Sequence, residues 1–600
     1  MQPIDTATDA AWKQRFRIHQ TYGQLAASDQ TRGLALSNRS GVFQLYAWDV
    51  VSGDLRQLTT RPAGERNGMI AGDGRFVYYL NDTQGDELGH YVRVPFTGGA
   101  PEDITPDMAP YSSFTITSSR DGTRIGFVSA DDWGFHMYVQ GAANSSERRL
   151  LYESAQLIDG LCLAADGAYA VVATNEGMSG LNFRLLAFDT TSGEQIGALS
   201  DDTEQSVQVR LCAPTAHDQR VLAVSNRSGA NRPLIWNARS GERIDLALDE
   251  LAGDVEPQDW SADGLRMLLL QIAQATHQLY LYHLGDNTLT KLAHPAGTFA
   301  GAFFGPNNTI FANWQNSTSP QQLVALADTT GQLARVVLPA SDPPPARPWR
   351  SVTFPSSGGQ SIQAWLVVPE GAGPFPTILE THGGPTYAMT DLYHAGSQAW
   401  LDHGYAFMSI NYRGSTTFGK AFEEAIWSNL GNLEVDDMAA ARDWLVRERI
   451  ADPDAILLTG WSYGGYLTLQ ALGRRPDLWA GGMAGIAIAD WAMQYADSAD
   501  TLRGYQAALF GGTPDEQPEL YAAASPITYA AAVAAPVLVI QGSNDTRCPP
   551  RPMRMYEARL RQLGKDIEVV WFDAGHGSLD TEQSVGHQEL MLRFAAGVLG

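Results

Sequence analysis

The pentapeptide Gly460-Trp461-Ser462-Tyr463-Gly464 sits between the apolar run 455–459 and a helix-forming stretch from Tyr466, the pattern of a nucleophile elbow. A serine hydroxyl becomes a useful nucleophile when a strained strand-to-helix turn thrusts it towards a base, and small flanking residues make room for the bend. With 59 glycines in 600 residues the pentapeptide alone is weak, so the residues downstream decide its meaning. Ser462 needs an imidazole to take its proton and a carboxylate to hold that imidazole's tautomer. Two histidines follow it. His576, in Asp573-Ala574-Gly575-His576-Gly577 just after the β-run 567–572, is assigned as the base, whereas His587 lies in a helical C-terminal stretch and reads as a surface residue. Asp545, in the loop after the strand 537–540, is the orienting carboxylate. It is preferred to Asp573, whose spacing suits a loop cap, and to Asp490.

The tetrahedral intermediate of acyl transfer carries an oxyanion that needs preorganised donors, each supplying roughly 3–4 kcal/mol of barrier lowering. One is the backbone N–H of Tyr463, directly after the nucleophile. The second is expected from His382-Gly383-Gly384-Pro385, which follows the strand 377–379 and whose glycines let backbone amides point inward. His382 itself is read as a structural loop residue.

These residues need a sheet to carry them. From residue 350 onwards, apolar β-runs at 377–379, 406–410, 456–458, 483–486, 537–540 and 567–572 alternate with helical segments, which predicts an α/β-hydrolase domain with a largely parallel sheet over 350–600. One helix is marked by Asp436 and Asp437 at its start, Trp444 and Leu445 on its apolar face, and Arg447 and Arg449 near its end, an order that suits the helix dipole. The stretch 28–338 has another grammar. Turn markers at Asp29, Asp73, Asp121, Asp166, Asp218, Asp263 and Asn307 are 44, 48, 45, 52, 45 and 44 residues apart, and four of them read Asp-Gly. Later in the units, Val51-Ser52-Gly53-Asp54, Thr191-Ser192-Gly193-Glu194 and Arg239-Ser240-Gly241-Glu242 recur as outer hairpins. Short strands at a period in the forties predict a β-propeller, and seven units predict seven blades. Residues 339–349, rich in proline, form a linker. Residues 5–20 read as a helix with Trp12, Phe16 and Ile18 available for burial, so 1–27 is taken as an extension that docks on the hydrolase domain.

Six hundred residues exceed what one core can organise, in keeping with two domains. A formal net charge of −25 argues against nucleic acid or an anionic membrane as partner. The segment Met1-Gln2-Pro3-Ile4-Asp5 has neither the basic nor the apolar region of a signal peptide, and no run of 18 apolar residues occurs, so a cytoplasmic location is expected. Cys162, Cys212 and Cys548 lack C-x-x-C spacing and are expected to be reduced packing residues. A homo-oligomer is compatible with everything above.

Several motifs together resemble the prolyl oligopeptidase family of serine peptidases, with the acylaminoacyl-peptidase branch nearest. They are the propeller before a hydrolase, His382-Gly383-Gly384-Pro385, Asn411-Tyr412-Arg413-Gly414-Ser415, residues 460–465 and 541–547, and Gly575-His576-Gly577. The intervals of 83 residues from Ser462 to Asp545 and 31 from Asp545 to His576 are also similar. The resemblance implies that Arg547 binds a substrate backbone carbonyl, that the propeller caps the site and excludes folded proteins, and that no metal or organic cofactor is needed. One departure matters. Prolyl oligopeptidases proper carry an oxyanion-hole tyrosine where this chain has Phe418, which cannot donate; that favours the backbone amide of Gly384 and weakens strict post-proline cleavage. Phe418, Phe422 and Trp491 are candidates for a hydrophobic pocket for the residue before the scissile bond. Dipeptidyl-peptidase relatives use a paired glutamate on the propeller, whereas this chain has no Glu-Glu pair before the linker, and Asp86-Glu87 reads as a blade-turn feature.

The leading function is therefore hydrolysis of short peptides, with N-acylated peptides among the candidates, by a Ser-His-Asp acyl-enzyme mechanism. An esterase or other small-acyl hydrolase with the same triad is the alternative. A propeller scaffold with a silent hydrolase is a third reading.

Overall fold

Asp-Gly turns of one design recur along the N-terminal half. At Gly74, Gly122, Gly167 and Gly264 φ lies between 69° and 72°, and each glycine N–H donates to the carbonyl three residues back. The preceding aspartate accepts from the N–H two residues on, as in Asp73 from Arg75, Asp121 from Thr123, Asp166 from Ala168 and Asp263 from Leu265. These side chains supply the turn that a β-branched strand residue cannot. The outer hairpins repeat a second design, in which Asp49, Asp189 and Asn237 each accept from two following amides.

The computed structural model describes residues 4–143, 147–327 and 330–600; Met1 to Pro3 of the N-terminal extension lie outside them. Between Thr21 and Leu338 the strands form antiparallel sheets with sequential neighbours. Five sheets have four strands, and an eight-stranded sheet is two such meanders joined where Leu88 and Gly89 pair with Ser112 and Tyr111. The array closes on itself. Gly23 exchanges hydrogen bonds of 2.8 and 2.9 Å with the side-chain amide of Asn313, and Ala35, Tyr46 and Trp48 of the first sheet share a core with Phe311, Leu323 and Leu338 of the last.

Three expectations need correction. Thr21–Leu25, which the sequence division leaves in the extension, is the first strand of the first sheet, pairing Thr21 with Ser37. The N-terminal helix is only Ala11–Phe16, because Asn38 bonds both Ile18 O and Gln20 N and draws the chain straight into that strand. Cys162 and Cys212 are joined in a disulfide between the first strands of two successive sheets, with Cα atoms 6.0 Å apart, so only Cys548 is free.

The extension rests on the other half of the chain. Trp12 is buried with Trp400 and Leu592, while Lys13, Arg15 and Arg17 pair with Glu589, Asp402 and Glu582. At the end of the linker, Trp349 is already core, 5.9 Å from the ring of Phe407. The C-terminal sheet runs Arg350–Pro355, Ser361–Val367, Ala406–Asn411, Phe375–Thr381, Ala451–Trp461, Gly481–Gly485, Val537–Gly542 and Ile567–Phe572, parallel from Ala406–Asn411 onwards. Helices cover it, including Leu433–Arg447, Tyr463–Arg474 and Thr581–Leu599. Its near-continuous apolar strands follow from burial on both faces. The loops after Ala451–Trp461, Val537–Gly542 and Ile567–Phe572 leave the same edge, where ligands of open α/β sheets bind.

Candidate active site

Ser462 stands between the strand Ala451–Trp461 and the helix Tyr463–Arg474 with φ 58° and ψ −119°, a left-handed conformation that a serine adopts only under constraint. The neighbouring glycines make it feasible. A Cβ on Gly460 would lie 2.4 Å from Gly464 C, and one on Gly464 would lie 2.0 Å from Thr381 O. Ser462 N–H donates to Gly485 O at 2.9 Å, which ties the elbow to the next strand.

His576 Nε2 lies 3.0 Å from Ser462 Oγ, and its Nδ1 lies 2.9 and 3.1 Å from the two carboxylate oxygens of Asp545. Asp545 is buried, and its Oδ1 accepts from the backbone amides of Arg547 at 2.9 Å and Cys548 at 2.8 Å. An ionised carboxylate only accepts, so Nδ1 carries the proton and Nε2 is free to accept from the serine hydroxyl. The three groups expected from the sequence thus meet at hydrogen-bonding distance, and the set can transfer an acyl group. His587 does not take part. It is buried between Trp461 and Phe572, with its pKa pushed down to about 4 by desolvation, which corrects its reading as a surface residue.

Around the nucleophile, Tyr463 N–H is among the first amides of its helix, which have no intrahelical acceptor. The loop His382 to Pro385 runs past Ser462: a Cβ on Gly383 would sit 3.5 Å from Ser462 Cβ, and Gly384 has φ 127°. His382 is buried, stacked on Tyr412 at 4.4 Å and bonded through Nε2 to Ser415 Oγ at 2.8 Å; desolvation lowers its pKa to about 4. Tyr412 in turn donates to His382 O at 2.9 Å. The motif Asn411 to Ser415 therefore holds the glycine loop in place.

Residues 393–600 match the family described as the prolyl oligopeptidase family, and 344–431 match a second, acetyl xylan esterase (AXE1), which stops short of Ser462. Residues 393–600 thus form a domain of the prolyl oligopeptidase family of serine peptidases. Dipeptidyl aminopeptidase BIII of Pseudoxanthomonas mexicana is 25% identical over 563 residues, 87% of this chain and 78% of the relative. Acylamino-acid-releasing enzyme 1 of Oryza sativa subsp. japonica is 25% identical over 218 residues, 35% of this chain and 28% of its own. Among solved structures, a puromycin hydrolase superposes with TM-score 0.83 at 20% identity over 100% of this chain and 97% of its own. An acylaminoacyl peptidase of Pyrococcus horikoshii gives 0.69 at 18%, over 98% and 99%. At such identities the superpositions speak for the fold: a propeller before a hydrolase domain.

In this peptidase a cavity of about 610 Å³ lies between the halves and opens on His576. The hydrolase side contributes His576 and Arg547. The N-terminal sheets contribute Glu65, Glu87, Tyr91 and Phe114, among others. Arg547 is paired bidentately with Glu87, and its guanidinium lies 4.7 Å from the centre of the Phe114 ring. Burial raises the Glu65 carboxyl pKa to about 7, against the pull of Arg61.

The three aromatic candidates are placed elsewhere. Phe418 and Phe422 pack on each other at 5.2 Å, and Trp491 is buried against Tyr463, Tyr466 and Phe510. None of them lines the cavity that holds His576. Sequence reasoning missed Phe114, Glu65 and the partnership of Glu87 with Arg547. Asp86-Glu87 was the only signal, and nothing local distinguishes it from an ordinary turn.

Proposed function

We propose that this serine peptidase hydrolyses short peptides through an acyl-enzyme formed on Ser462. His576 Nε2 takes the hydroxyl proton as Oγ attacks the scissile carbonyl, then passes that proton to the departing amine. Water, deprotonated by the same imidazole, releases the acyl group and regenerates the serine. Asp545 holds the ring and stabilises the imidazolium, while the amides of Tyr463 and Gly384 receive the oxyanion. The observation that carries the reading is the 3.0 Å approach of His576 to a serine strained into the elbow conformation.

The substrate range follows from the enclosure. Short, flexible peptides fit a cavity of about 610 Å³ walled by both halves, and folded proteins do not. Arg547 would bind a substrate carbonyl. The eight-stranded sheet counts as two blades, which with the other five makes a seven-bladed propeller. No metal or organic cofactor enters this chemistry.

A second reading, removal of residues from a free N-terminus, is favoured by the carboxylates of Glu65 and Glu87 on the cavity wall. A fluorophosphonate probe followed by peptide profiling tests both. Labelling at Ser462, lost in Ser462→Ala, with cleavage rates that fall as peptides lengthen, is the expected result; Ser462→Ala and His576→Ala should each remove several orders of magnitude of turnover without unfolding the chain. Faster cleavage of N-acyl than of free-amine peptides selects the first reading, and the reverse order selects the second. Turnover of simple esters with none of peptides would overturn both.

A further inference from the structure

Cys548 is the free cysteine of the chain. It lies three residues after Asp545, only 2% exposed, with its N–H on the Asp545 carboxylate. Its Sγ, a carboxylate oxygen of Asp545 and a ring nitrogen of His576 all lie within 4.8 Å of one another. The thiol also lies against the Ser462 hydroxyl and the side-chain amide of Gln494. Gln494 is itself 2% exposed, and its Oε1 has no hydrogen-bond partner. An ordinary catalytic triad offers a metal only oxygen and nitrogen donors. Here a sulfur donor stands beside them, with an unengaged amide oxygen at its edge.

We propose that Cys548, His576 and Asp545 form an inhibitory site for a thiophilic divalent cation, Zn²⁺ or Cd²⁺. The donor set of one thiolate, one imidazole and one carboxylate suits such ions and leaves a fourth position for water. A tetrahedral site with bonds of about 2.0–2.3 Å places its donors about 3.5 Å apart, so the three groups have to draw in by roughly an ångström. Gly577, directly after His576, has φ 97° and an added Cβ there would meet nothing nearer than 4.0 Å, which leaves the loop room to shift on that side. On binding, the thiol proton leaves to solvent and the ring proton moves, by way of solvent, from Nδ1 to Nε2, so that one sulfur, Nδ1 and one carboxylate oxygen each form a bond to the ion. The Asp545–His576 hydrogen bond is broken in the process, and Ser462 loses its base. Hard cations such as Mg²⁺ and Ca²⁺, which prefer oxygen donors, have no comparable reason to bind.

The inference rests on the triad reading, and the measurement separates the two. Cd²⁺ is titrated into the whole chain while the ultraviolet thiolate-to-cadmium charge-transfer band is followed, and fluorophosphonate labelling of Ser462 is measured in parallel. The expected result is one Cd²⁺ per chain, a band that grows as labelling falls, full reversal by a chelator, and no effect of Mg²⁺. In Cys548→Ala the band should vanish and half-inhibition should need more than about tenfold more metal, relative to that variant's own uninhibited rate. Cys548→Ser, closer in size, repeats the test if the alanine variant does not fold. Equal metal sensitivity in the variants, or a band that grows without loss of labelling, overturns the site. Absence of labelling in the metal-free wild type would instead strike at the triad reading, because the band does not depend on Ser462 reactivity.

Discussion

Glu87 and Arg547, 460 residues apart in sequence, form a bidentate ion pair with Nε–Oε2 and Nη2–Oε1 distances of 2.7 and 2.6 Å. The pair fastens a turn of the N-terminal sheets to the loop that carries Asp545. Thr546, between Asp545 and Arg547, adds a bond from its hydroxyl to Asp86 O at 2.8 Å. The turn is unusual for its backbone, since Gln84, Gly85 and Glu87 all have φ between 53° and 79°. Such conformations persist only when the surroundings hold them.

Glu87→Gln keeps the shape of the side chain and removes its charge. Charge-assisted bidentate pairs fix geometry as well as energy, and this one engages Nε and Nη2 of Arg547, which leaves Nη1 for the substrate carbonyl that we propose it binds. Loss of the charge frees the guanidinium to wander from that position. The expected outcome is a rise of about tenfold in KM for peptides with a smaller change in kcat, because ground-state and transition-state contacts are lost together. Steady-state kinetics on one peptide series measures it. Unchanged KM would mean that Arg547 is positioned without Glu87.

The site was legible where chain order and strand ends determine it. Ser462, Asp545 and His576 each follow a β-run, so the α/β pattern alone brings their loops to one edge of the sheet. The repeated turns were legible for a similar reason: Asp-Gly needs no tertiary partner to prefer its conformation. What stayed hidden depends on contacts between segments far apart. Phe114 and Glu65 are ordinary strand and loop residues until the sheets close over the hydrolase edge. Cys162 and Cys212, 50 residues apart, show no motif, because only the stacking of successive sheets brings their Cα atoms to 6.0 Å. The buried His587 was misread because its helix carries polar residues on several sides, and the partner face of Trp461 and Phe572 belongs to other elements.

Gly575, next to the base, sits against the same turn. A Cβ built there would lie 1.7 Å from Gly85 O and 2.5 Å from Gly85 C, a clash with backbone that no side-chain rotation relieves. Gly575→Ala must therefore push the turn and the His576 loop apart. A displacement of about 1 Å at a catalytic group can lower the rate about 10²-fold, so kcat should fall by that order while secondary structure is retained. Gly586→Ala, with nothing within 4 Å of the added carbon, is the control and should leave kcat unchanged. Full activity in Gly575→Ala would show that the turn yields freely and has no part in aligning the base.

Glu434 lies under the nucleophile elbow, fully buried, with its Oε1 accepting from Tyr463 Oη at 2.7 Å and from Gly431 N at 3.1 Å, and with Oε2 unpartnered. Desolvation raises its pKa to about 7 in the folded chain from the ordinary value of 4.5. Below about pH 4.5 the carboxyl is neutral in both the folded and the unfolded chain, and its stabilising contribution is complete. Between 4.5 and 7 the unfolded chain has released the proton that the folded chain still holds, so stability falls as pH rises, and above 7 both forms are ionised and the loss levels off. The full span is of the order of 3 kcal/mol. Glu434→Gln retains the oxygen that accepts from Tyr463 and Gly431 and removes the ionisation. Other buried carboxyls titrate in the same window, so the decisive quantity is the difference between variant and wild type: the variant should unfold at a temperature close to wild type at pH 5 and several degrees higher at pH 8. Thermal unfolding curves that stay parallel across that range would show that the carboxyl beneath Tyr463 does not ionise as its surroundings require.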